Sequence, residues 1–181
     1  MNRFRAFLLS AAVGVIAFAA APAAYAQVPE INFDIRGEGQ QDSLGVALET
    51  VFNKDYDVVF KAARLGLEKV GYTVNYSSKK RNLIETDFKV IASEDTFHDT
   101  MAVYGKIPFM RSPGWTIGRN RVSVNFVRND STNSTTVKVL AVNSGYEARF
   151  SNMWHYWKSN GVIEKIVMDA ITSAVTSVET P

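Results

Sequence analysis

The sequence predicts an α+β domain: an antiparallel sheet of about six strands, one helix after the first strand, and a long C-terminal helix. Three observations carry this expectation. Apolar residues recur at spacings of three and four between Tyr56 and Val70, and again between Gly161 and Val178. Between those stretches the period changes to two, with polar turn residues separating the alternating runs. No internal repeat or low-complexity tract interrupts the pattern, so one sheet and two helices share the apolar residues available.

Residues 27–43 hold Pro29, two glycines and scattered charges without a sustained period, and are expected to be a flexible lead-in to a domain spanning 44–181. A short strand is expected at Val46–Phe52. In the first helix Tyr56, Val59, Phe60, Ala63, Leu67 and Val70 form one side, and Asp57, Lys61, Arg64 and Glu68 the other. The pairs Asp57–Lys61 and Arg64–Glu68 are one turn apart, and Gly71 stands where a helix end needs a positive φ. Tyr72–Tyr76 then alternates as a half-buried strand. Leu83–Ile91 is expected to be a second, with Ile84, Phe88 and Val90 on one face, and Thr100–Ile107 a third.

The hairpin that follows has the clearest alternation. Val122, Val124 and Phe126 alternate with Ser123 and Asn125, the polar run Asn129–Ser134 turns the chain, and Thr135–Val142 returns. The closing helix is expected behind a Ser159 or Asn160 cap, with Glu164 in its first turn. Its apolar pairs Val162/Ile163, Ile166/Val167, Ala170/Ile171 and Ala174/Val175 repeat every four residues. Such a stripe winds around a helix of 3.6 residues per turn and suits a twisted, concave sheet.

The N-terminus reads as an export signal. Arg3 and Arg5 precede an almost wholly apolar run from Ala6 to Ala20, Pro22 breaks it, and Ala24 and Ala26 supply small residues for cleavage after Ala26. The run is shorter than the roughly 20 residues a bilayer span requires, so no span is expected once it is removed. With no cysteine in the chain, a lipoprotein anchor, disulfides and thiol chemistry are excluded together. The expected location is the periplasm. Full-length charge is 20 Lys+Arg against 18 Asp+Glu, and the two arginines of the signal account for the excess. A neutral mature chain lacks the basic field of a nucleic-acid binder.

The order of strand, helix, five antiparallel strands and closing helix resembles the helix-grip class of α+β domains, in which a curved sheet wraps a terminal helix. The residues Asp55–Ala63, Leu67–Tyr72 and Leu83–Thr86 are similar to modules of exported envelope proteins, among them the C component of the outer-membrane barrel-assembly machinery. The chain departs from that family in having no cysteine for lipid attachment. The same order looks like START-type lipid carriers, whose cavity lies between sheet and closing helix. These resemblances imply either an amphipathic, lipid-like ligand in that place or an envelope-protein partner in an assembly or transport complex.

Nothing in the sequence carries a catalytic signature. The two histidines are His98, in the acidic stretch Glu94–Asp99 expected as a solvated loop, and His155. Neither a phosphate-cradling glycine loop nor a GxSxG or HExxH motif is present, so no cofactor or metal is expected. Two stretches are candidate binding elements instead. The connection Gly105–Arg121 carries Phe109, Met110 and Trp115 beside Arg111, Arg119 and Arg121, a mixture suited to an anionic amphipath. Either the connection folds back to cap one end of the core, or Trp115 is its exposed apolar contact; Arg119 and Arg121 are expected on the strand face opposite Val122. The second stretch, Phe150–Trp157, contributes Trp154, Tyr156 and Trp157, either as packing under the closing helix or as an aromatic surface.

Overall fold

A computed structural model describes residues 46–108 and 114–178. The signal-like segment 1–26, the lead-in 27–43 and the candidates Phe109, Met110 and Arg111 lie outside the described residues. The fold is α+β, with an antiparallel, unclosed sheet of seven strands and three helices. The elements are β1 (Leu48–Phe52), α1 (Tyr56–Lys69), β2 (Val74–Ser78), β3 (Leu83–Thr86), β4 (Lys89–Ser93), α2 (Phe97–Tyr104), β5 (Trp115–Asn129), β6 (Ser134–Glu147), β7 (Met153–Lys158) and α3 (Val162–Val178).

The long hairpin β5–β6 is the spine of the sheet. Asn133 supplies the positive φ at its turn. β1 and β7 pair in succession along the outer edge of β6, and β3 and β4 in succession along β5, with β2 outside β3. A gap opens between β1 and β7 at Ala141. The carboxylate of Glu164 closes it, accepting from the Ala141 amide at 3.0 Å and from Ser159 Oγ at 2.7 Å. Glu164 is therefore fully buried, where the sequence suggested an ordinary first-turn acid. Burial raises its carboxyl above the usual 4.5, opposed by the hydrogen bonds from Ser159 and Ala141.

Among the described residues the helices pack on one face of the sheet. Val122, Val124 and Phe126 of β5 and Val137, Val139 and Ala141 of β6 point at α1 and α3, joining Val59, Phe60, Leu67, Ile163, Val167 and Ile171 in one core. The helices themselves touch closely, because Gly66 lies against the α3 backbone: a Cβ there would come 2.9 Å from Ile171 N. The space between sheet and helices is thus occupied by the chain's own buried side chains. At the far end of the same face a second core joins Phe97 and Met101 of α2 to Ala92, Trp115 and Trp157. No described helix is long and apolar enough to cross a membrane.

Four expectations change. The strand expected at Thr100–Ile107 is instead α2 with its following loop, because Phe97 and Met101 share a helical face and are completely buried. His98 lies in that helix's first turn and is exposed, so the segment from Glu94 is not a loop throughout. The strand expected at Leu83–Ile91 is two strands. Glu85 pairs with Ser123 but Lys89 with Asn120, so one extra residue reverses the alternation and removes Phe88 and Val90 from the face of Ile84. Finally, Ile166 and Val162 lie on the outer side of α3, and the buried stripe follows Ile163, Val167, Ala170, Ile171 and Ala174.

Candidate functional site

The second face of the sheet carries the polar and aromatic residues that the cores leave out. β5 extends back to Trp115, so the last seven residues of the connection expected from Gly105 to Arg121 are strand. Gly118, Asn120 and Val122 face the helices, and Arg119 and Arg121 consequently project from the opposite side. β7 does the same for the aromatic run. His155 and Trp157 pair with Gly145 and Asn143 on the helix face, while Trp154 and Tyr156 pair with Tyr146 and Ser144 on the second face. One row across the sheet therefore reads Val90, Arg119, Ser144, Tyr156.

Ser144 is the small residue of that row, and the Arg119 side chain lies across it. Arg119 Nε donates to Ser144 Oγ at 3.0 Å. Its guanidinium sits 3.5 Å from the Trp154 ring centroid and 3.9 Å from that of Phe88. Phe88 also covers the guanidinium of Arg121, at 4.9 Å, and approaches the Tyr156 ring at 6.2 Å. Tyr146 stacks obliquely on Trp154 at 5.3 Å. Both arginines are half-buried. Stacking engages the faces of a guanidinium, whereas carboxylate and phosphate recognition engages its N–H edge, so aromatic neighbours fix its direction without competing for anions. Beside the cluster Leu140 and Val142 form an apolar floor with Ala47 and Tyr156.

The other candidates divide. Trp115 is not an exposed contact: it is 2% accessible, stacked parallel to Phe97 at 5.0 Å and edge-on to Trp157 at 5.9 Å. The bulge between Trp115 and Ile117 turns it to the helix face, where Gly145 makes room for it. Trp157 belongs to that same second core. Arg119, Arg121, Trp154 and Tyr156 come together. Sequence reasoning missed Phe88, Ser144 and Tyr146. The small residue at Ser144, between Val142 and Tyr146 on the same strand face, was the available signal.

One polar group near the turn between β6 and β7 has the composition of a catalytic triad but not its arrangement. Ser151 Oγ is 2.8 Å from Glu147 Oε2 and 2.7 Å from His155 Nε2. A hydroxyl has one proton, and the carboxylate is the stronger acceptor, which makes His155 Nε2 the donor to Ser151 rather than its base. Glu147 meanwhile accepts from the backbone amides of Arg149, Phe150 and Ser151. Burial raises its carboxyl, but these hydrogen bonds outweigh burial and lower it to about 2. The group is a clasp for the turn.

No protein-family model matches this chain, and no curated protein matches it.

Proposed function

We propose that this protein is a non-enzymatic binding protein of the cell envelope that holds a small anionic amphipath on the second face of its sheet. The observation that carries the reading is the Arg119 guanidinium fixed between Trp154 and Phe88 by Ser144, with Arg121 alongside. Two aimed cations supply the head-group contact, and the half-buried rings of Tyr156 and Trp154 supply the apolar one. The helix-covered face is filled with core residues, which favours the second face over a site beneath the closing helix. The envelope address rests on Arg3, Arg5, the apolar run and the small residues Ala24 and Ala26. An intact mass of the native protein that begins at Gln27 would support it, and one that begins at Met1 would refute it.

Dodecyl phosphate, titrated calorimetrically into the mature chain, is the direct probe of the site. Binding is expected for it and not for dodecyl maltoside, which has the tail without the charge. Arg119→Lys should weaken it about tenfold, because an ammonium loses both the planar stack and the forked donor geometry. Equal affinity for the charged and neutral heads would refute the reading.

A second reading is a protein–protein module for envelope assembly. It is favoured by large exposed residues on the same face: Val90 beside the cluster, and Val51 with Val127 further along the sheet, both level with Thr136. Capture of a folded protein by this face, lost on Val127→Asp and insensitive to dodecyl phosphate, would select it.

A further inference from the structure

We propose that the ligand of the second face is a zwitterionic amphipath, one whose phosphate head also carries a primary ammonium, and that the Glu85 carboxylate receives that ammonium. This rests on the ligand reading above and adds the second charge of the head group.

The paired rows of this face set an order of chemistry along β5. Ile117 pairs with Tyr146, and Tyr146 with Trp154, so the first row is apolar and aromatic. Arg119 follows in the row of Ser144 and Tyr156, and Arg121 in the next, beside Val142. The row after that holds Ser123, with Glu85 of β3 as its partner and Tyr76 of β2 beyond. Ser123 stands about 7 Å past Arg121 along the strand, and Glu85 about 5 Å across from Ser123. Aromatic surface, guanidinium and carboxylate thus succeed one another over about 20 Å. That is the order of tail, phosphate and ammonium in such an amphipath.

The charges of the face single out Glu85. In the paired rows the bases are Arg119, Arg121, Lys138 and Lys158, and the acids are Glu49 and Glu85. Glu49 is exposed and stands directly opposite Lys138, so a cation already meets it across the strands. Asp87, in the connection from β3 to β4, is also exposed. Glu85 is half-buried between Ser123 and Tyr76, and among the described residues its carboxylate has no hydrogen bond or ion pair. The nearby arginines are drawn the other way, Arg119 to Ser144 and Trp154 and Arg121 to Phe88. A carboxylate that has lost part of its hydration holds a delivered cation more strongly than an exposed acid does.

The same surroundings favour an ammonium that has N–H groups. Quaternary ammonium is recognised by open aromatic faces. Here Phe88 and Trp154 carry the arginines, and Tyr76 faces Arg81 at 5.9 Å. A carboxylate, by contrast, accepts from N–H donors.

Calorimetric titration of the mature chain with dodecylphosphoethanolamine and with its N-acetyl derivative isolates the ammonium, because both share the tail and the singly charged phosphodiester. The amine should bind about tenfold more tightly, the size of one charge-assisted contact. Glu85→Gln should abolish that preference and still bind the N-acetyl compound. Glu49→Gln and Asp87→Asn should keep the preference. Glycerophosphoethanolamine, the head without a tail, should bind at least about tenfold more weakly than the amine, since it leaves the aromatic row uncovered. Equal affinity for amine and N-acetyl compound in the parent overturns the proposal, as does a preference that survives Glu85→Gln or disappears in either control variant. A tailless head that binds as tightly as the amine makes the ligand a free zwitterion and overturns the amphipath. Binding of dodecyl phosphate without any preference for the amine leaves the ligand reading standing and refutes the ammonium site. Binding of none of the three dodecyl compounds refutes the ligand reading itself.

Discussion

Replacing Trp115 separates a packing role from a binding role. The indole is 2% accessible, lies parallel on Phe97 at 5.0 Å with an interplanar angle of 4°, and meets Trp157 and His155 edge-on. Trp115→Ala removes one of the two tryptophans of the second core and leaves a cavity bounded by α2, β4 and β7. Large-to-small changes of this kind cost about 3–5 kcal/mol. For a chain of this size each kcal/mol moves the melting temperature by about 3–4 °C, so the expected loss is about 10–20 °C. Trp115→Phe keeps a ring against Phe97 and should lose less than half of that. Thermal unfolding followed by far-UV circular dichroism is the assay. A melting temperature within about 3 °C of the parent would refute the assignment of Trp115 to the core.

Two further substitutions test the surrounding geometry. Ile171 is completely buried and Ile166 is 45% accessible, so Ile171→Asp should cost about 3–5 kcal/mol and Ile166→Asp less than about 1. Equal losses on chemical denaturation would mean that α3 is rotated from the position described. Glu147 has a depressed carboxyl, so its contribution is present in full above the ordinary 4.5 and is lost as pH falls from there through about 2. Glu147→Gln should flatten that acid limb of the melting temperature, and a parent–variant difference that stays constant from pH 6 to pH 2.5 would disprove the clasp.

The helices at either end and the central hairpin were legible because their periods are long enough to average out single exceptions. α1 begins where Asp55 accepts from the Asp57 amide and ends at Gly71 with φ +80, both from local chemistry. What failed depended on one-residue irregularities. The bulges near Phe88, Ile91 and Trp115 each reverse the alternation, and no residue type announces them. This is why Phe88 lies off the face expected of it, and why alternation alone could not decide between core and surface for Trp115. In α2 the helical spacing of Phe97, Met101 and Tyr104 decides the element over the β-branched Thr100 and Val103. Arg119 and Arg121 were placed correctly, because from Gly118 onward β5 alternates without interruption.

The cluster and the second core are two sides of the same three residues of β6. Asn143, Ser144 and Gly145 are all small or slender and all buried. On one side Gly145 admits Phe97 and Trp115, since a Cβ there would come 2.6 Å from the Phe97 ring. On the other, Ser144 admits Arg119. β7 is bound to both sides at once, sending His155 and Trp157 into the core and Trp154 and Tyr156 into the cluster. A change in the core therefore reaches the arginines through the tilt of one edge strand, without contact between the two sets of side chains. Residues in contact or sharing a backbone element are those whose effects fail to add. The arginines stand on the central strand β5; Arg119 stacks on Trp154 of β7, whereas Arg121 stacks on Phe88, so substitution of Arg121 is the change that probes binding with the β7 contact kept. Truncating Trp154 or Tyr156 changes the strand and the site together, and cannot separate them.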